Sequence, residues 1–147
     1  MKNVKSHLVA VTILLAMGAC VSEAPEQPEE ADSTSIETSA STSQCSLNVM
    51  CFWEDNGFAG TFKGLTASVS DFVAISFGDA TTAVWNRTSV AWVLFQDDTF
   101  RGAMACVRPG ASVANLGNFS FNDEISSAQR QSGDICPSGA IVFTGIN

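Results

Sequence analysis

Along the chain, three patterns of apolar and polar positions follow one another, and each predicts a different element. Leu8 to Met17 is an apolar run with Lys2 and Lys5 as the charges ahead of it. That is too short to cross a bilayer as a finished helix, and it has the form of a secretory signal. From Val21 to Gln44 the only large aliphatic residues are Val21 and Ile36, in a stretch of Ser, Thr, Glu, Pro and Ala that cannot build a core. After Cys45, apolar runs of strand length return between polar turns, and helical periodicity is weak. Val90–Phe95 is continuously apolar, β-branched and aromatic, which predicts a central strand, and Ala140–Thr144 predicts the last one. Val69–Phe72 and Val113–Leu116 fit strands or single turns equally well.

Within this third region a pattern recurs. Phe52-Trp53-Glu54-Asp55-Asn56-Gly57-Phe58-Ala59-Gly60 aligns with Leu94-Phe95-Gln96-Asp97-Asp98-Thr99-Phe100-Arg101-Gly102, every position shifted by 42. Each copy reads as strand, polar turn carrying an aromatic residue, and second strand. The shared glycine permits a positive φ, or lets the turn ring lie on the main chain. A hydrophilic stretch ending in hydroxyls follows: Asn86-Arg87-Thr88-Ser89 in the first copy, Asn122-Asp123-Glu124-Ile125-Ser126-Ser127 in the second. Two four-strand units of about 40 residues predict an all-β fold of paired Greek keys in a two-sheet sandwich.

Charge and side-chain chemistry remove most functional classes. The net charge of −8 is spread unevenly: Glu23, Glu26, Glu29, Glu30, Asp32 and Glu37 load the spacer, while the region from Cys45 has nine acidic against five basic side chains. Nucleic acid is therefore not an expected partner. The single histidine, His7, leaves with the signal, which excludes Ser-His-Asp and Cys-His catalysis and histidine-ligated metals. Carboxylate pairs such as Glu54–Asp55 and Asp97–Asp98 are neighbours that a strand points to opposite faces, so no enzyme is expected. Trp53, Trp85 and Trp92 fit a core better than a glycan platform.

Five cysteines divide into one and four. Cys20 follows Met17-Gly18-Ala19, where a lipoprotein signal peptidase would cut and leave a thiol for acylation. Ordinary cleavage near Ala19, giving a secreted product, is the alternative. Residues 1–19 are thus read as signal, 20–44 as a lipidated Cys20 with an acidic tether, and 45–147 as the domain. The expected location is a bacterial cell envelope, with the protein a monomer held to the membrane through Cys20. Cys45, Cys51, Cys106 and Cys136 imply two disulfides, for which three pairings exist. Cys45 with Cys51 and Cys106 with Cys136 is favoured, the first closing the start of the domain and the second tying a central strand to the C-terminal segment. Zinc is disfavoured because no Cys-x-x-Cys pair occurs. Asn86-Arg87-Thr88 matches a glycosylation acceptor.

The spacing of Phe52, Phe58 and Gly60, followed by Asn-Asp-x-x-Ser-Ser at Asn122–Ser127, resembles the βγ-crystallin Greek-key family. Cys45-x5-Cys51-Phe52-Trp53-Glu54 and the turn Val107-Arg108-Pro109-Gly110 are similar to the microbial peptidase-inhibitor family built on that fold. The resemblance covers Cys45 to about Ile141. It implies inhibition of secreted metalloproteinases by a rigid, extended, exposed segment. The segment expected is Ala105-Cys106-Val107-Arg108, with Val107 offered to a hydrophobic pocket, although Cys106 and Val107 also fit the end of a buried strand. The resemblance further implies one calcium site from Asn122, Asp123, the Glu124 carbonyl and Ser126, completed by Glu54 or Asp55. A second site is doubtful, since Val84 and Trp85 would stand where the paired Asn/Asp should be. Ser127 and Ser89 could instead only brace the turns of their own units. A calcium-stabilised structural or adhesive module is the alternative to an inhibitor.

Overall fold

The computed structural model describes residues 42–145. The expectations for the signal, Cys20 and the spacer up to Ser41 lie outside the described residues. Thr42–Gln44 forms a 3-10 turn from which the chain passes directly to Cys45. Each copy of the sequence repeat is an antiparallel hairpin: β1 (Met50–Asp55) with β2 (Ala59–Leu65), and, after β3 (Ala83–Asn86), β4 (Trp92–Asp97) with β5 (Arg101–Val107). Strand β6 (Ser112–Val113) precedes β7 (Ser127–Arg130), and β8 (Ile141–Phe143) is the last strand. The strands form two four-stranded sheets, β2-β1-β3-β6 and β7-β4-β5-β8. Thus β6, which belongs to the second copy, completes the first sheet. Its counterpart Val69 bridges to Ala128 of β7 in the second sheet. The two ambiguous apolar segments begin with the Val69 bridge and with β6, and each leads into a 3-10 turn, at Val73–Ile75 and Leu116–Phe119.

Strand alternation sorts the side chains. Met50, Phe52, Val84, Trp92, Leu94, Ala105 and Val107 meet in one core between the sheets. The alternate positions of the same strands point outward into two smaller clusters. One gathers Cys45, Cys51, Trp53, Phe58 and Phe62; the other Val93, Phe95, Phe100, Cys106 and Cys136. Both faces of β1 and β4 are covered, which is why Val90–Phe95 reads as one apolar run. The favoured cysteine pairing is present, Cys45–Cys51 and Cys106–Cys136, and each bond lies in one outer cluster.

The hairpin turns explain the repeated glycine. Gly60 and Gly102 have φ of 75° and 78°. A Cβ there would lie 2.5 Å from Asp55 Oδ2 and 2.8 Å from Asp97 Oδ2 respectively, so the turn carboxylate fills that space, not the aromatic ring. Phe58 and Phe100 also adopt positive φ, a conformation that costs on the order of 1–2 kcal/mol. Their rings pack edgewise or tilted on Trp53 at 5.2 Å and on Phe95 at 5.8 Å, which offsets the strain.

The connection between the copies is fastened by a buried polar network. The Asn86 amide donates to the carbonyls of Val90 and Val107, both at 2.8 Å. Its oxygen accepts from the Thr88 amide and hydroxyl at 2.9 and 2.7 Å, and Trp92 Nε1 donates to Thr88 Oγ1 at 3.1 Å. Asn86 is fully buried, so the glycosylation match is inaccessible in the folded domain.

Candidate functional site

Ser127 is buried and braces the second hairpin, its hydroxyl donating to Asp97 O at 2.7 Å and accepting from Phe100 N at 3.1 Å. Ser127 pairs with Phe95, as Ala83 pairs with Trp53 in the first sheet. The first copy of the Asn-Asp-x-x-Ser-Ser stretch is therefore Gly78-Asp79-Ala80-Thr81-Thr82-Ala83. It is not Asn86–Ser89, and the positions of the paired Asn/Asp are held by Gly78 and Asp79 and not by Val84 and Trp85. The backbone repeats faithfully: Thr82 N donates to Trp53 O and Ser126 N to Phe95 O, while Asp79 and Asp123 have φ of 50° and 54°.

The oxygen-bearing side chains meet across the copies. Thr82 Oγ1 lies 3.4 Å from Asp123 Oδ1, and Ser126 Oγ lies 3.3 Å from Asp79 Oδ1. This is the reciprocal pattern of a two-fold relation. Of the set expected from Asn122, Asp123, Glu124, Ser126 and Glu54, the structure gives hydrogen-bond partners to Asp123, Ser126 and Asn122. Asp123 and Ser126 face different partners in the other copy, and Asn122 Nδ2 donates to Asp123 Oδ2 at 2.6 Å. Two two-copy oxygen pairs result. Thr82 stands beside Glu54 through its bond to Trp53 O, and Ser126 stands beside Gln96 through its bond to Phe95 O. A depression of about 590 Å³ next to Ser126 is lined also by Asp71, Asp97, Asp98 and Arg101. Each pair is a long hydrogen bond between a hydroxyl of one copy and a carboxylate of the other, and both groups are oxygen donors of the kind a hard cation takes. Among the described residues no three His, Cys, Asp or Glu side chains gather around one point.

The segment expected to meet a peptidase is placed differently. Cys106 turns outward on β5 to reach Cys136, so alternation sends Ala105 and Val107 inward. Val107 is 0 % exposed and cannot be offered to a pocket. Of the expected residues, Arg108 alone reaches the surface, where its Nη1 lies 3.4 Å from Asp134 Oδ2. The residue that is presented beside this disulfide is Ile135, 66 % exposed, next to Cys136. The sequence signal for it was present but unread: an aliphatic residue followed by Cys136 and Pro137. Asp79 and Thr82 were missed because their alignment to Asp123 and Ser126 needs a shift of 44, not 42.

The fold and the reciprocal hydroxyl–carboxylate pairs define a double Greek-key domain of the βγ-crystallin kind, and comparison with known proteins agrees. A βγ-crystallin of Ciona intestinalis is 31% identical, with 56% of this chain and 99% of that one aligned at a TM-score of 0.52. The chain belongs to the βγ-crystallin family. A domain solved in work on the evolution of the eye-lens fold aligns at 24% identity and TM-score 0.57 over 59% of this chain and 88% of that one. A βγ-crystallin domain of Flavobacterium johnsoniae aligns at 22% and 0.51, over 60% and 99%. Residues 38–107, just under half of the chain, match the model of peptidase inhibitor family I36. A search of curated proteins returns no match.

Proposed function

We propose that the domain is a peptidase inhibitor that acts by binding, and that its targets are secreted metallopeptidases. The observation that carries this reading is the match of residues 38–107 to peptidase inhibitor family I36. The fold supports it physically, because two disulfides each fasten a loop bearing an exposed aliphatic residue, Leu47 or Ile135, to a strand. Such preorganisation lowers the ordering cost that weakens flexible peptides. In this reading the protein is exported and held, as a monomer, to a bacterial membrane through acylated Cys20, with the acidic spacer as tether. The test is titration of the purified protein into thermolysin-like and serine peptidases. Stoichiometric inhibition of the metallopeptidase is expected, and residual activity independent of added protein would sink the reading.

A second, compatible reading is calcium binding at the two crossed pairs, Thr82 with Asp123 and Ser126 with Asp79. Their hydroxyl and carboxylate oxygens favour it. Calcium would then join the copies and stiffen the scaffold. Isothermal titration with CaCl₂ tests it, with two sites expected and no heat of binding counting against it.

A further inference from the structure

We propose that the peptidase-contacting segment is Asp134-Ile135-Cys136-Pro137, with Ile135 as the side chain taken into the pocket of the peptidase; this rests on the inhibitor reading above. The segment lies beyond the stretch matched to the inhibitor family, so its assignment comes from geometry alone. Three observations select it.

First, Ile135 to Pro137 carry no helix, turn or bend, and Cys136, the residue before Pro137, is biased toward extended conformations. Peptide chains lie in binding clefts in extended form, with main-chain pairing on one side and side chains in pockets. Leu47, which is 70 % exposed and also enclosed by a disulfide, sits instead on a tight turn whose next residue, Asn48, has φ 63°. That bend does not fit an extended-chain cleft.

Second, the segment is anchored on both sides. Gly133 O accepts from Ala91 N at 2.9 Å and Asp134 is paired with Arg108 at 3.4 Å on the N-terminal side. On the C-terminal side Cys136 is bonded to the fully buried Cys106. Ile135 is the exposed side chain between these ties, so little conformational freedom is lost on docking.

Third, Gln131 to Ala140 contains neither Lys nor Arg. The pocket that fits is aliphatic, as in a metallopeptidase that prefers branched apolar side chains, and not the acidic pocket of a trypsin-like enzyme.

The experiment compares the purified protein with its Ile135→Asp, Ile135→Leu and Leu47→Asp variants as inhibitors of a thermolysin-like peptidase and of a trypsin-like one, with thermal melts of each. Ile135→Asp is expected to weaken inhibition of the metallopeptidase about 30-fold or more, the scale of an interface hot spot, with an unchanged melt because the site is exposed. Ile135→Leu and Leu47→Asp should stay within a few-fold of the parent, and trypsin-like activity should be untouched. If the parent inhibits and Ile135→Asp inhibits equally, the segment is wrong while the inhibitor reading stands. If the parent inhibits neither peptidase, both fall. Selective loss in Leu47→Asp would transfer the role to the Cys45–Cys51 loop and overturn the proposal.

Discussion

Ser126 Oγ stands 3.3 Å from the Asp79 carboxylate, 47 positions away, and the same contact recurs with exchanged roles between Thr82 and Asp123. Each copy of the repeat thus lends a carboxylate to the hydroxyl of the other. The consequence is measurable through calcium linkage. With calcium at 100 times its dissociation constant, each occupied site adds about 2.7 kcal/mol. Asp79→Ala and Asp123→Ala should each remove one such increment from the calcium-dependent stability, and the double variant should show no difference between calcium and EDTA. Loss of the whole increment in Asp123→Ala alone would mean a single shared site.

Val107→Asp should unfold the domain instead of selectively disarming it. A carboxylate would enter the core between the sheets with no partner, where an unpaired buried charge costs several kcal/mol. Circular dichroism and a thermal melt check this, and a native melt for that variant would contradict the inward placement of the side chain.

Asn86→Ala should cost about 3 kcal/mol. It removes donors from the buried carbonyls of Val90 and Val107 and the acceptor of Thr88, leaving several groups unsatisfied together. Urea unfolding reads the cost as a lowered midpoint at unchanged slope.

Gly102→Ala should destabilise by about 1–3 kcal/mol through its positive φ and through the Asp97 carboxylate 2.8 Å from the new Cβ. Adding Asp97→Ala should recover part of that loss, because only the contact term depends on the carboxylate. Strict additivity in the double-mutant cycle would show that the backbone conformation accounts for all of it.

The architecture was legible where local signals agreed. The hairpins followed from the aromatic–turn–glycine repeat, the central strand from Val90–Phe95, and both disulfides from their positions in the pattern. The functional residues were less legible for two physical reasons. The outer faces of β4 and β5 are covered by Phe100 and Cys136, which hides the period of two, so the inward direction of Val107 is evident only once Cys106 is known to point outward. The turn Arg108–Ala111 also lengthens the second copy by two residues. Beyond it the copies match at a shift of 44, and a search at one fixed shift passes over Asp79 and Thr82.

The exchange of β6 and Val69 between the sheets means that neither half of the domain is a closed object. A fragment ending after β5 would keep Val69 but lose β6 and β7, so the free edge of β3 would have no partner and Val69 nothing to bridge to. Two such fragments could satisfy both needs only by setting the Val69 segment of each against the β3 edge of the other. The covalent joining of the copies is therefore what makes a self-contained fold out of an arrangement that otherwise calls for two chains, and the Asn86–Thr88 knot at the junction is where that joining is secured.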